Sequence, residues 1–158
     1  MEAELKITQK ALSVDSIVRR QKKINPSPSY QRGAVWSEAK KQLLIDTILR
    51  GYDIPKFYFL SIDDGDYDCE VVDGQQRLRS LWGFCKNEFA LGEVSNDIEG
   101  YPGLEGKFYT DLDSDLQDEL GGYNLSITEI RDTTDEEIRD LFLRLQEGSS
   151  LNAAETRN

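Results

Sequence analysis

A polar pentapeptide that could bind phosphate follows an apolar stretch in the middle of the sequence. The segment 70–80 reads EVVDGQQRLRS, so a DGQQR motif at 73–77 comes directly after two valines. The valines predict a strand, and the residues after the motif predict a helix. A helix N-terminus attracts anions, a glycine lets a ligand approach the backbone, and a guanidinium forks onto phosphate oxygens. The motif therefore has the chemistry of a phosphate-binding turn.

Each residue of the motif has an expected role if the ligand is a nucleoside triphosphate. Gly74 would bring the backbone close to the phosphates, and Arg77 would neutralise them. Asp73 would hold Mg²⁺ or orient the attacking water, while Gln75 or Gln76 would hydrogen-bond that water or the γ-phosphate. Asp73, Gln75, Gln76 and Arg77 are the candidate catalytic residues if hydrolysis follows binding.

The same motif also has an explanation that needs no ligand. Asp73 could cap the helix that follows, and Gln76 could reach back three residues to complete a capping box. That explanation leaves Gln75 and Arg77 without a role. We therefore keep both explanations open at this point.

A second candidate segment lies in a proline-bounded loop near the N-terminus. Tyr30, Gln31 and Arg32 offer an aromatic ring, an amide and a guanidinium just before Trp36, as nucleotide pockets often do. The alternative is a surface loop with Tyr30 and Trp36 packed beneath it.

A third candidate segment closes the sequence. Gln146 lies in the stretch RLQEGSSL, and Glu155 and Arg157 follow in the last four residues. These three side chains are candidate ligand contacts. The alternative is an ordinary helix end, stopped at Gly148 and bearing solvated charges.

The hydrophobic pattern predicts the elements that must position these segments. Ser13, Ser37 and Thr134 are expected N-caps of helices, and Thr134 forms a capping box with Glu137. KFYFLSI and YDCEVV predict a β-hairpin around the turn DDGD, and YNLSITEI alternates as a half-buried strand does. We expect one domain over residues 1–158, of the α+β class, with a small mixed β-sheet flanked by helices.

The composition excludes several classes of function. The sequence contains no histidine, which excludes Ser-His-Asp and Cys-His catalysis, His-ligated zinc and His-Asn-His nuclease chemistry in this chain. Cys69 is expected in a strand and Cys85 on a helix, both reduced, as in a cytoplasmic protein. No stretch is long and apolar enough to predict a membrane span, and the N-terminus does not resemble a signal peptide.

The net charge of −11 is unevenly distributed along the chain. Residues 1–56 carry 11 Lys and Arg against 6 Asp and Glu, whereas residues 91–158 carry 5 against 17. This distribution suits local binding of one anionic ligand near the N-terminal third. It disfavours wrapping of a long DNA duplex around the whole surface.

Three motifs, taken in their order along the chain, resemble the N-terminal domain of the GmrSD-type, modification-dependent (type IV) restriction endonucleases. They are QR…W, VVDGQQRL and LFLRLQEGSSLNAAETRN. The resemblance implies a ParB/sulfiredoxin-like fold and a phage-defence domain that binds, and often hydrolyses, a nucleoside triphosphate. It also implies a C-terminal nuclease part that is missing here, so we expect a fragment of a longer chain. The residues that match the family's site are Gln31, Arg32, Asp73, Gly74, Gln75, Gln76 and Arg77.

The resemblance weakens in the last motif. Glu155 and Arg157 match it more loosely, and Gln146 stands where the family commonly has Asn. Arg79 replaces the Thr that usually follows the DGQQR motif and its leucine.

Three functions are consistent with the sequence. The first is a regulatory domain that binds a nucleoside triphosphate with Mg²⁺ and either hydrolyses it or only binds it. The second is a DNA-binding or DNA-nicking ParB-like module, whose basic residues Arg19, Arg20, Lys22, Lys23, Lys40 and Lys41 would follow a phosphate backbone. The third is a non-catalytic interaction domain in which DGQQR only caps a helix. We expect the first, with DNA contacted through the full-length protein and no membrane partner.

Overall fold

A computed structural model of the chain describes residues 6–26 and 35–156. Within the last helix, side chains are described as far as residue 147. The predictions for Tyr30, Gln31, Arg32 and Arg157 lie outside the described residues, as does the side chain of Glu155.

The strands of the described residues form one five-stranded mixed β-sheet and one two-stranded sheet. The strands are β1 (Lys6–Ser13), β2 (Ile24–Asn25), β3 (Phe57–Ser61), β4 (Cys69–Asp73), β5 (Asp97–Ile98), β6 (Tyr101–Pro102) and β7 (Asn124–Arg131). The large sheet has the order β1-β7-β3-β4-β2, and β5 pairs with β6. β1 with β7 and β3 with β4 are antiparallel, whereas β3 with β7 and β2 with β4 are parallel. The predicted α+β class with a small mixed sheet is confirmed.

Three of the α-helices begin at the caps that the sequence predicts. The α-helices are α1 (Val14–Arg19), α2 (Glu38–Leu49), α3 (Gln75–Cys85), α4 (Ser114–Gly122) and α5 (Asp135–Thr156). The Ser13 and Ser37 hydroxyls accept the amide N–H groups of Ser16 and Lys40 at 3.1 and 3.3 Å. Thr134 accepts the N–H of Glu137 at 3.1 Å, and the Glu137 carboxylate accepts from Thr134 in return, so the predicted capping box is confirmed.

The sheet has helices on both faces and buries an apolar cluster on each. On one face, β3, β4 and β7 pack against the helices α1 to α4 and hold most of the core, including Phe57, Phe59 and Leu78. On the other face, α5 covers a smaller cluster of Val72, Ile130 and Ile138. β7 is therefore buried on both sides from Ile127 to Ile130, not half-buried as its alternation predicts.

The connection between α3 and α4 is fastened to α2 by a small polar network. The buried carboxylate of Asp46 accepts from the Ser95 hydroxyl at 2.8 Å and from Nε of Arg50 at 2.8 Å. Arg50 also donates to Asp97 at 2.6 Å. This network fixes α2, whose first turns form one wall of the cleft described below.

Two local expectations differ from the structure. The N-cap of α3 is Gly74, and within 6–26 and 35–147 no side chain caps this helix, so the capping box between Asp73 and Gln76 does not form. The backbone of α5 stays helical through Gly148 to Thr156 instead of ending at that glycine.

Cys69 and Cys85 are both free and partly buried, in β4 and α3 as predicted. Burial raises the pKa of the Cys69 thiol to about 12 and that of the Cys85 thiol to about 11, so both remain protonated at neutral pH. Among the described residues, none of the helices has the length and apolar character that a bilayer crossing requires.

Candidate functional site

A cleft of about 730 Å³ lies beside the DGQQR turn. Its walls come from the start of α2, the connection from α2 to β3, the turn from β4 to α3, and Gln146 of α5. The pairing of Tyr58 with Asp73 places the end of β4 beside the start of β3, so the turn faces the residues that precede β3. The lining residues are Val35, Trp36, Lys40, Leu43, Leu44, Thr47, Asp53, Ile54, Pro55, Asp73, Gly74, Gln75, Gln76, Arg77 and Gln146.

Gly74 makes the sharp turn from strand to helix. Its φ is +103°, a conformation that side-chain-bearing residues rarely adopt. A Cβ atom at this position would lie 2.6 Å from Cδ2 of Phe57 and 3.1 Å from Nη2 of Arg77. The position therefore requires glycine both for its backbone angle and for its contact with the buried Phe57 ring.

Arg77 is buried beneath the turn, with 8% of its surface exposed. Its guanidinium donates to the backbone carbonyls of Pro55 at 3.0 Å and Lys56 at 3.2 Å. It also lies 4.8 Å from the ring centroid of Phe57. These contacts join the start of α3 to the start of β3, so Arg77 holds the two walls of the cleft together.

Asp73 presents a partly exposed carboxylate to the cleft. Its side chain is 31% exposed, and one oxygen lies 3.5 Å from Nη2 of Arg77. Burial raises the pKa of the Asp73 carboxyl above its ordinary value, and Arg77 and the N–H of Gly74 partly oppose that rise. Burial likewise lowers the pKa of Arg77, opposed by Asp73. The two charges thus compensate each other only in part.

The two glutamines of the motif have different environments. The side-chain oxygen of Gln76 accepts the backbone N–H of Trp36 at 3.1 Å, which ties the segment before α2 to the start of α3. Gln75 is half-buried and lines the cleft, and its amide has no hydrogen-bond partner among the described residues. Gln75 is therefore free to bind a ligand, whereas Gln76 already has a positioning role.

Lys40 is a cleft residue that the sequence did not single out as part of this site. Its exposed side chain lines the cleft from the first turn of α2 and has no ion-pair partner within 6–26 and 35–147. The spacing of the residues around Lys40 could have indicated its place in the cleft. Lys40 follows Trp36 by four residues and precedes Leu44 and Thr47 by four and seven, which puts all of them on one side of a helix.

The carboxylates of the cleft fit a loosely held Mg²⁺. Within the described part of the chain there is no group of three or more Asp, Glu, Cys or His that could hold a metal alone. Asp53 and Asp73 supply hard oxygen atoms, and Mg²⁺ is commonly bound by one or two carboxylates together with the phosphates of a substrate. The residues present are suited to a magnesium ion that arrives with a nucleotide.

The structure brings together six of the predicted site residues. Asp73, Gly74, Gln75, Gln76 and Arg77 line one cleft, and Gln146 lines it from α5. The roles predicted for all of them stay predictions, as do those of the residues outside the described ranges.

Comparison with known proteins gives one match. The sequence model of the family described as "GmrSD restriction endonuclease, N-terminal domain" matches residues 14–158, which is most of the chain. No curated protein and no solved structure matches the chain. The expected likeness to ParB and sulfiredoxin folds therefore stays a prediction.

Proposed function

The chain belongs to the GmrSD restriction endonuclease N-terminal domain family, and on that premise we propose that its cleft binds the phosphates of a nucleoside triphosphate. Family membership points to a role in phage defence, and nucleotide binding is the step we assign to this domain. One observation carries the proposal: the N-terminus of α3, which no side chain of the described residues caps, opens into a cleft of about 730 Å³ that also contains Lys40 and Gln75.

The binding chemistry follows from this arrangement. The first N–H groups of a helix have no partner inside it and carry a partial positive charge, so phosphate oxygens lie favourably against residues 75–77. Lys40 adds a mobile positive charge from the facing wall, and the free amide of Gln75 adds a hydrogen-bond donor. The apolar side chains of Val35 and Leu43, 83% and 54% exposed, border the same cleft and offer a surface that a base would cover.

Arg77 acts in this proposal as a positioning residue. Its donors are directed to the carbonyls of Pro55 and Lys56, so it holds the turn in the conformation that presents the N–H groups. It still contributes positive charge beneath the phosphates, and low local polarity strengthens that contribution. This assignment differs from the direct phosphate fork that the motif alone suggests.

Hydrolysis is the second part of the proposal. The oxygen of water forms a bond to the γ-phosphorus, and the bond from that phosphorus to the oxygen bridging to the β-phosphate breaks. The products are a nucleoside diphosphate, inorganic phosphate and a proton. Asp73 lies at the cleft with a partly exposed carboxylate that can accept a hydrogen bond from the water, and Gln75 can orient it. A bound Mg²⁺ would neutralise phosphate charge, held by Asp73 and Asp53.

Lys40→Ala is expected to weaken nucleotide binding about tenfold, with no change in melting temperature. The side chain is exposed and unpaired within the described residues, so its loss affects the ligand and not the fold. A charge-assisted hydrogen bond contributes about 1.5–3 kcal/mol, and about 1.4 kcal/mol corresponds to tenfold in affinity. Isothermal titration calorimetry with the four ribonucleoside triphosphates and Mg²⁺ measures the change.

The neighbouring lysine supplies the matched control. Lys41 lies with its ammonium 5.9 Å from the ring centroid of Phe89 and does not line the cleft. Lys41→Ala should therefore bind nucleotide as the wild type does. If both alanine variants bind equally well, or if the wild type binds no nucleotide at millimolar concentration, the proposal is wrong.

Asp73→Asn is expected to remove the Mg²⁺-dependent part of nucleotide affinity and any phosphate release. The asparagine oxygen can still accept the N–H of Gly74, so the turn should persist. Because the folded-state pKa of Asp73 is raised, the carboxylate gains its proton at a higher pH than an ordinary Asp, whose pKa is about 3.9. Mg²⁺-dependent binding by the wild type should therefore weaken on acidification before ordinary Asp residues titrate. A variant that keeps full Mg²⁺ dependence would show that Asp73 does not hold the ion.

A further inference from the structure

A second cleft, of about 570 Å³, lies at the opposite end of α3 from the DGQQR turn. It is formed by α1, the 3₁₀ turn Gln21–Lys23, the connection between β3 and β4, and the C-terminal end of α3. The eleven residue steps from Gln75 to Lys86 correspond to about 16 Å along a helix. The two clefts are therefore separate sites on one helix.

Three unpaired cations line this second cleft. Arg19, Lys22 and Lys86 are exposed, and none of them has an ion-pair partner among the residues that the structure describes. Among the described lining residues none is acidic, although the chain contains 30 Asp and Glu against 19 Lys and Arg. Arg20 and Lys23 add positive charge in the adjoining sequence. The described lining of the cleft is thus basic and apolar, while Asp66 and Asp68 flank Tyr67 in the sequence and Asp64 interacts with Lys23.

The floor of the cleft is apolar and firmly held. Trp82 is almost fully buried, and its indole N–H donates to the carbonyl of Ile17 at 3.1 Å. The N–H of Asp68 donates to the carbonyl of Lys23 at 2.8 Å, which fastens the basic 3₁₀ turn to the start of β4. The half-buried Tyr67 completes the lining beside these groups. The cations therefore extend from a rigid platform with an aromatic ring next to it.

Part of this positive charge has a purely local explanation. Arg19 lies in the last turn of α1 and Lys86 at the end of α3, where a cation offsets the negative end of the helix dipole. One cation at each helix end suffices for that effect. A third cation, Lys22, lines the same cleft, and the mutual repulsion of the three is relieved by an anionic ligand.

We propose that this second cleft binds the phosphate backbone of a DNA strand through Arg19, Lys22 and Lys86. A DNA strand presents phosphates and base faces together, which suits cations beside an aromatic ring better than an acidic peptide does. The matching family is one of restriction endonucleases, which act on DNA by name. Three cations contact about three phosphates, so the site binds DNA locally, as the acidic remainder of the chain requires.

The experiment measures fluorescence anisotropy of a labelled DNA oligonucleotide with the 158-residue chain over a series of salt concentrations. The wild type should bind, with a slope of log K against log salt of about −2 to −3 for three phosphates. The variant Arg19→Gln/Lys22→Gln/Lys86→Gln should lose affinity at least about tenfold, and its slope should approach zero. Lys40→Ala should bind DNA as the wild type does, which separates this site from the nucleotide cleft.

A variant with the same net charge is the control. Lys6→Gln/Arg139→Gln/Arg144→Gln removes three exposed cations outside this cleft and should keep wild-type affinity. Circular dichroism checks that both variants fold. The proposal is overturned if the wild type does not bind DNA at low salt, if both variants lose affinity equally, or if poly-glutamate competes as well as unlabelled DNA.

Discussion

Arg77→Ala is expected to lower the free energy of unfolding by about 3–5 kcal/mol, because each buried acceptor that loses its donor costs about 1–3 kcal/mol. The guanidinium is 8% exposed and donates to two backbone carbonyls, those of Pro55 and Lys56. Its loss leaves both carbonyls without this donor, Asp73 without its counter-charge, and a void beside Phe57. Domains are stable by about 5–15 kcal/mol, so a substantial part of the total is lost.

Urea denaturation of the wild type and three variants measures this effect. Arg79→Ala is the matched control, because Arg79 is exposed on the same helix and should change stability by less than about 0.5 kcal/mol. Arg77→Lys should recover only part of the loss, since an ammonium cannot reproduce the planar fork of donors. A stable Arg77→Ala protein that only loses nucleotide affinity would instead show that Arg77 contacts phosphate and does not position the turn.

Gly74→Ala is expected to destabilise the domain by about 2–5 kcal/mol, which lowers the melting temperature by about 4–20 °C for a chain of this size. Two costs combine. A positive φ costs a side-chain-bearing residue about 1–2 kcal/mol, and the added Cβ would lie 2.6 Å from the buried ring of Phe57. Relief of such overpacking typically costs about 1–3 kcal/mol. Differential scanning calorimetry measures the shift.

Gly65→Ala separates these two costs. Gly65 has a similar φ of +88°, but an added Cβ there meets nothing within 4 Å. This control variant should show only the cost of the backbone angle. Equal melting temperatures for the two variants would mean that the ring of Phe57 moves aside and that the turn is not constrained by it.

The sequence predicts those parts of the fold whose signals are local. Ser13, Ser37 and the pair Thr134 and Glu137 mark helix starts correctly, because a cap is a contact between residues two or three positions apart. The hairpin of β3 and β4 was predictable for the same reason, since a short polar turn joins two apolar runs.

The parts that were missed depend on long-range pairing. No residue of β1 is fully buried, and its Ile7 is 53% exposed, so the strand has no buried apolar face. It is a strand because its backbone pairs with β7, more than a hundred residues away. β7 in turn is covered on both faces because α5 packs on the side opposite to the main core.

The candidate site shows the same division. Its location at the DGQQR motif was predicted from the residues alone, as was the family of restriction endonucleases whose model matches residues 14–158. The burial of Arg77 does not, because the carbonyls that it binds are brought there by the pairing of β3 with β4. Gln76 likewise bonds to Trp36, 40 residues away, and not to the adjacent turn that a capping box requires. Lys40 joins the site only once α2 is placed against α3.

An amide shift map in a ¹H–¹⁵N correlation spectrum tests the central claim most directly, with the chain titrated with each ribonucleoside triphosphate and Mg²⁺. The account predicts that at least one nucleotide produces its largest shifts at the N–H groups of Gln75, Gln76 and Arg77, with little change at Lys86. Shifts confined to the far end of α3, or none at the turn while the spectrum remains that of a folded protein, would contradict phosphate binding at the DGQQR motif.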